Sequence, residues 1–143
     1  VNTVLVSTKG RYALRVMIDL AENQTSGYVP LKEIAQRQDV SEKYLESILK
    51  TLVKAGVLTG QRGKGGGYQL TRDPADYTVA TILHLTEGSL APIAGLDSPT
   101  VNQDRGATLQ MWHELDDLIT DFFEKRTIAD LASNAAGGGN YVI

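Results

Sequence analysis

The chain of 143 residues contains no cysteine. That absence excludes disulfides, thiolate metal sites, thiolate-held iron–sulfur clusters and cysteine nucleophiles on this polypeptide. Histidine is nearly as scarce: there are two, His84 and His113, and neither has a second histidine at ligand spacing. A metal site is therefore not expected, although Glu87 and Glu114 stand close by in sequence. No serine–histidine–carboxylate arrangement is recognisable from spacing, and Asp116 and Asp117 read as a solvated face, so the chain is not expected to be an enzyme. No apolar run is long enough for a transmembrane helix. The opening VNTVLVSTKG lacks the pattern of a secretory signal, so a cytoplasmic protein without a membrane partner is expected.

What is present is an uneven charge. The net charge is −3, yet residues 1–72 hold eleven of the fourteen Lys and Arg against six Asp and Glu, while residues 73–143 hold three against eleven. A basic front and an acidic back point to a front that meets a polyanion, although an uneven solvated surface would show the same asymmetry. The length suits one domain with its own core plus an extra helical element.

Hydrophobic spacing predicts mostly helices. Ser7 or Thr8 caps a first helix through GRYALRVMIDLAEN, where Tyr12, Val16, Leu20 and Ala13, Met17, Ala21 recur at helical intervals. Leu14 and Ile18 widen its apolar surface, so something besides its own core is expected to cover it. QTSGYVP reads as a turn with a short edge strand. LKEIAQRQ is a short second helix, and Ser41 then opens a third, SEKYLESILKTLVKAG, with Gly56 at its end. Leu45, Ile48, Leu49 and Leu52 form the apolar stripe of that helix; Lys43, Glu46, Ser47, Lys50 and Lys54 form its opposite face. VLTGQ and YQLTR are strand-like and flank RGKGGG, which makes a hairpin with a glycine-rich tip. Thr78 caps a helix over TVATILHLTEG, residues 89–106 read as a loop, and ATLQMWHELDDLITDFFEKR is a long amphipathic helix. TIADLA reads as a short capped turn of helix, and the rest as a flexible tail.

The glycine loop RGKGGGYQL decides between two kinds of phosphate contact. A P-loop requires Ser or Thr after its lysine and a helix that begins there, but Lys64 precedes Gly65 and no helix opens. A dinucleotide fingerprint starting at Gly63 fails at Tyr68, and YQL alternates like a strand. What remains is a hairpin tip whose long side chains are Arg62 and Lys64. A flexible turn is the plain alternative for such a loop taken alone. Two helices joined by a tight turn and followed by this hairpin make a helix-turn-helix with a wing. The N-terminal polar residues of the second helix, Lys43, Tyr44, Glu46 and Ser47, then face base edges, with Lys50 toward the backbone.

STKGRYALRVMIDLA, LKEIAQRQDVSEKYLESILKTLVKAGVL and RGKGGGYQL, with Glu87–Gly88 and TIADL, resemble a family of winged-helix regulators. It includes the iron–sulfur cluster regulator (IscR type), the nitric-oxide-sensing repressor (NsrR) and the cysteine-metabolism repressor (CymR). The resemblance covers about residues 7 to 131. It implies a homodimeric transcription regulator, a repressor, that binds a pseudo-palindromic site on double-stranded DNA. The fold it implies is mainly α with a small β-hairpin wing, and with a long C-terminal helix that pairs across a two-fold axis near the partner's first helix. For DNA it points to Lys43, Tyr44, Glu46, Ser47 and Arg62, with Gly63, Lys64, Gly65, Gly66, Gly67 and Tyr68 forming the wing. For dimerisation it points to Leu109, Trp112, Leu115, Ile119, Phe122 and Phe123.

The implied organisation is a DNA-binding region over 1–77, a connecting helix, sensing loop and dimerisation helix over 78–132, and a tail over 133–143. Cluster-binding relatives carry three cysteines in the loop before the long helix, and Gly95 stands about where the first is expected. No cofactor is therefore expected here, and a small effector or a protein partner remains open as the signal. The competing reading is a protein-interaction module with a vestigial helix-turn-helix, acting through its acidic C-terminal half.

Overall fold

The computed structural model describes residues 5–23, 27–96 and 104–136. Helix α1 (Thr8–Asn23) runs through the middle of the molecule, and α2 (Leu31–Gln38), α3 (Glu42–Lys54), β2 (Gly67–Leu70), α4 (Val79–Glu87) and α6 (Ile128–Ala136) all pack on it. The wide apolar surface expected of α1 is thus covered largely from within the same chain. Ala13, Val16, Met17 and Leu20 are fully buried, and Tyr12, Leu14, Ile18 and Ala21 are half-buried around them. Burying a side chain of this size contributes roughly 1.5–3 kcal/mol, so this helix anchors the core.

The helix-turn-helix forms as its sequence directs. Ser41 is extended, and its hydroxyl accepts from the Tyr44 N–H at 3.1 Å, satisfying an orphan donor of α3. Leu45, Ile48, Leu49 and Leu52 are fully buried. The turn before it needs a left-handed residue, and Asp39 takes that conformation with φ 55°. Asp is among the few residues other than glycine that do so readily, because its short polar side chain bonds locally.

One charged side chain is buried among the described residues. Asp19 on α1 is 2% exposed. It accepts from Arg37 Nε at 2.9 Å, Arg37 Nη2 at 2.8 Å and Gln38 Nε2 at 2.8 Å, while Arg15 donates to the Gln38 side-chain and main-chain oxygens, each at 2.9 Å. The Asp19 hydrogen bond, working against burial, pushes the Arg37 pKa further up. This pair ties α1 to α2, and the apolar pattern of α1 gave no sign of it.

β1 (Leu58–Gln61) and β2 form an antiparallel hairpin with Leu58 opposite Leu70 and Gln61 opposite Gly67. Val29 adds a bridge on the outer side of β2: its N–H donates to the Tyr68 carbonyl at 2.8 Å, and the Tyr68 N–H donates back at 2.9 Å. Tyr77, just after a single 3-10 turn (Pro74–Asp76), is buried beneath the hairpin. Its hydroxyl donates to the Val57 carbonyl at 3.0 Å and accepts from the Thr71 and Arg72 N–H groups at 3.1 and 2.8 Å.

Thr78 caps α4 as expected. The long helix α5 (Gly106–Glu124) has no buried residue. A second, smaller apolar cluster joins α4 to it: Val79, Leu83 and Leu90, with Leu14, Ile119, Phe123 and Leu131 packed against them. Thr127 and Asp130 exchange hydrogen bonds of 3.0 Å at the start of α6, a capping box that sets where the helix begins. This helix runs to Ala136, past the boundary expected at 132. Ile128, Tyr77 and Ile82 are buried in the same cluster as α1 to α3. Of the expected sensing loop, residues 97–103 lie outside the described residues, as do 137–143 of the expected tail.

Arg37→Met should destabilise the fold by about 2–3 kcal/mol, somewhat below the cost of breaking a fully buried pair because Gln38 still serves the carboxylate. Urea unfolding would check this; a loss below about 0.5 kcal/mol, the usual surface value, would show that Asp19 does not depend on Arg37.

Candidate nucleic-acid interface

The residues expected to meet DNA lie on two adjoining elements, α3 and the hairpin, which pack on one another through β1. Lys43, Glu46, Ser47 and Lys50 are exposed and share one helix face. Glu46 and the two lysines make no ion pair among the described residues, so their charged ends face solvent. The Ser47 hydroxyl donates to the Tyr44 carbonyl at 2.7 Å. As it stands, Ser47 offers acceptor lone pairs outward.

Tyr44 is placed differently from the other four. It is half-buried, packs against the main core and meets Tyr12 edge to face, with ring centroids 5.9 Å apart and planes at 89°. The Arg15 guanidinium lies 4.4 Å from the Tyr12 ring centroid, a cation–π contact that extends the cluster. The first turn of α3 is therefore seated on α1 by an aromatic contact. Sequence reasoning missed Tyr12 and Arg15 here, because nothing in the local pattern ties them to a residue some thirty positions later.

In the hairpin, Arg62, Gly63, Lys64 and Gly65 are exposed at the tip, and Gly66 and Tyr68 are half-buried. The glycines were expected to form the wing. Two of them answer first to the protein itself. A Cβ at Gly66 would overlap the Gln61 carbonyl across the turn, and one at Gly67 would overlap the Val29 carbonyl, with φ of 143° besides. Only a glycine lets β2 lie flush against Val29. Tyr68 serves that same junction through its backbone, while its ring covers Gly60.

The six apolar residues expected to mediate dimerisation divide between two faces of α5. Ile119 and Phe123 pack on the cluster of Val79, Leu83 and Leu90 within the chain, and Leu109 and Trp112 are half-buried. Leu115 and Phe122 are exposed, at 37% and 51%, and with them Met111 at 48% and Leu118 at 68%. Positions 111, 115, 118 and 122 are spaced four, three, four, which is the seam of a coiled-coil heptad. Met111 and Leu118 were missed because hydrophobic spacing alone does not tell the inner stripe from the outer one.

His84 Nδ1 stands 3.3 Å from the Gly88 carbonyl, and His113 is exposed. Among the described residues no three His, Asp or Glu gather as a metal site would require, and no helix is long and apolar enough to cross a membrane.

Known proteins share this arrangement. The model of a family described as Rrf2, iron-dependent transcriptional regulator, matches residues 6–134. The chain is 36% identical over 132 residues to the HTH-type transcriptional regulator CymR of Bacillus subtilis, covering 92% of each. It is 34% identical over 130 residues to the HTH-type transcriptional regulator IscR of Escherichia coli, covering 90% of this chain and 80% of that one. The solved structure of B. subtilis CymR, titled the global cysteine regulator, superposes with a TM-score of 0.78 over 90% of this chain and 95% of that one, at 36% identity. The iron in the family's description finds no thiolate on this chain, which has no cysteine anywhere in its sequence. A cysteine-held iron–sulfur cluster does not fit these residues.

Gly67→Ala should detach β2 from Val29 and cost more than about 1 kcal/mol, since alanine here is both strained and obstructed. Hydrogen exchange would report it as lost protection at the Val29 and Tyr68 amides; retained protection at both would show that the junction does not need glycine.

Proposed function

The chain belongs to the Rrf2 family of transcriptional regulators, and from that premise we propose that it acts as a homodimeric repressor reading a pseudo-palindromic operator. It is a DNA-binding regulator and not an enzyme, as its relatives are regulators. The observation that carries the finer reading is the exposed polar face of α3 beside a hairpin whose tip bears Arg62 and Lys64.

In this reading the N-terminal half of α3 enters the major groove. Glu46 accepts from a cytosine amino group, Lys43 approaches guanine or phosphate, Ser47 contacts a base edge, and Lys50 meets the backbone. Tyr44 contributes by fixing the entry angle of the helix as well as through its half-exposed ring. Arg62 and Lys64 reach phosphate or a narrowed minor groove from the wing, where Gly63, Gly65 and Gly66 leave the tip free of bulk. Two copies pair along the seam Met111, Leu115, Leu118 and Phe122, with Leu109 and Trp112 at its N-terminal end. Four large apolar side chains left exposed on one helix favour such a partner. Two-fold symmetry then places the recognition helices about one turn of DNA, ~34 Å, apart. A DNA partner implies action in the cytoplasm. The signal acts without a thiolate-held cluster, through a small effector or a protein partner.

Arg62→Ala should weaken binding to a duplex selected from a random library by about tenfold and flatten the salt dependence by about one unit of slope, as for a lost phosphate contact. Glu46→Ala should relax base preference at one position of each half-site; equal loss on all sequences would remove Glu46 from the readout. Leu118→Glu should shift the species seen in sedimentation from dimer to monomer, whereas an unchanged dimer would place the interface elsewhere. A wild-type chain that selects no duplex but retains a specific protein partner would favour the interaction-module reading.

A further inference from the structure

Three hydrogen bonds converge on one carboxylate at the end of α4. Glu87 Oε1 accepts from the Ser7 N–H at 3.1 Å, and Oε2 accepts from the Ser7 and Thr86 hydroxyls at 2.7 Å each. Ser7 is also the cap of α1: its hydroxyl oxygen accepts from the Gly10 N–H at 3.1 Å and its carbonyl from the Arg11 N–H at 3.0 Å. A side chain from α4 thus closes the first turn of α1 from 80 positions away. Gly10 is buried there, and a Cβ on it would overlap Glu87 Oε2, so the carboxylate occupies the space a side chain would need. Burial alone would raise the Glu87 pKa, but the bonds from Ser7 and Thr86 and the nearby Lys9 charge outweigh it and hold it below the ordinary carboxylate value. The acceptor is therefore charged at neutral pH.

From this clamped turn a second contact leads to the recognition helix. Lys9 Nζ donates to Thr51 Oγ1 at 3.0 Å, in the last turn of α3. With Tyr12 against Tyr44 at the first turn, α3 is tied to α1 at both ends. On the other side of Glu87, Gly88 ends α4 with φ of 77°, and the segment leading to α5 begins.

We propose that Glu87 is a positioning residue for DNA binding: it fixes the first turn of α1 and, through Lys9 and Thr51, the seat of the recognition helix. A change in the segment after Gly88 that draws Glu87 off Ser7 therefore shifts α3 on its bed. The proposal rests on α3 being the recognition helix, and it adds a route by which a signal reaches that helix without touching it.

Glu87→Gln is the decisive variant, because it removes a negative charge and on electrostatics alone should tighten binding to DNA. Positioning predicts the opposite sign. With a duplex selected by the wild-type chain, at a temperature where circular dichroism shows every variant folded, Glu87→Gln should weaken binding by about tenfold. In a Lys9→Met background the same change should add no more than about twofold, because the two act in series. Without DNA, Glu87→Gln should speed hydrogen exchange at the amides of residues 51–54. Unchanged or tighter binding, an equal loss in both backgrounds, or unaltered exchange at 51–54 would each overturn the proposal. If the wild-type chain selects no duplex, the DNA-binding reading fails, and the exchange measurement still decides whether Glu87 is linked to α3.

Discussion

A charge taken out of water must be met by partners of fixed geometry, and in this molecule the buried Asp19 imposes that requirement where α1 meets α2. Leaving a carboxylate buried without its guanidinium would cost several kcal/mol. Arg37 and Gln38 must therefore come to it from α2, and that sets how α2 lies across α1. Only Asp39, Val40 and Ser41 separate α2 from α3, and Asp39 bends the chain sharply with its left-handed φ. The orientation of α3 is thus largely inherited from one ion pair that lies away from its exposed face. An apolar replacement of the pair could match its stability, but would not prescribe the crossing angle so narrowly.

How much of this was legible depended on whether the information was local. Helix α3 was readable at both ends because Ser41, Glu42, Lys54 and Gly56 act within a turn of where they stand, and its stripe of leucines and isoleucine became the buried face. The hairpin was readable because alternation and glycines are likewise local. Asp19 was not, since a charge beside an apolar stripe looks the same whether it faces water or an arginine 18 positions away. The hydroxyl of Tyr77, which holds the base of the hairpin, was hidden for the same reason. In the glycine loop the composition was legible, but the neighbours that require Gly66 and Gly67, the Gln61 and Val29 carbonyls, were not, because the fold alone brings the Val29 carbonyl there.

The long helix shows the limit in another form. Six of its apolar residues were read as one stripe without Met111 and Leu118, because hydropathy records only that a side chain avoids water and not which neighbour excludes it. Ile119 and Phe123 turn toward α4, and Met111, Leu115, Leu118 and Phe122 turn away. One helix thereby serves two neighbours, and the inner contact holds the outer seam at a fixed attitude to α4 and the helices beneath it. The absence of cysteine acts at the same place. With no cysteine anywhere in the sequence, the segment between α4 and α5 has no thiolate with which to hold a cluster.

Ile128 is fully buried in the main cluster, where α6 packs on α1, and the Ile128 N–H donates to the Tyr77 carbonyl at 2.9 Å. A core opened by α1 is thus closed by α6, the last helix among the described residues. During translation α3 leaves the ribosome well before Ile128 is added, and until then α1 lacks the face that α6 covers, while domains fold as units once their parts are present. A message cut short before α6, or a ribosome stalled there, yields a polypeptide with α3 and the hairpin but without the cover that α6 gives α1. The finished packing of α1, on which α3 is seated, is in this way withheld until α6 has been made.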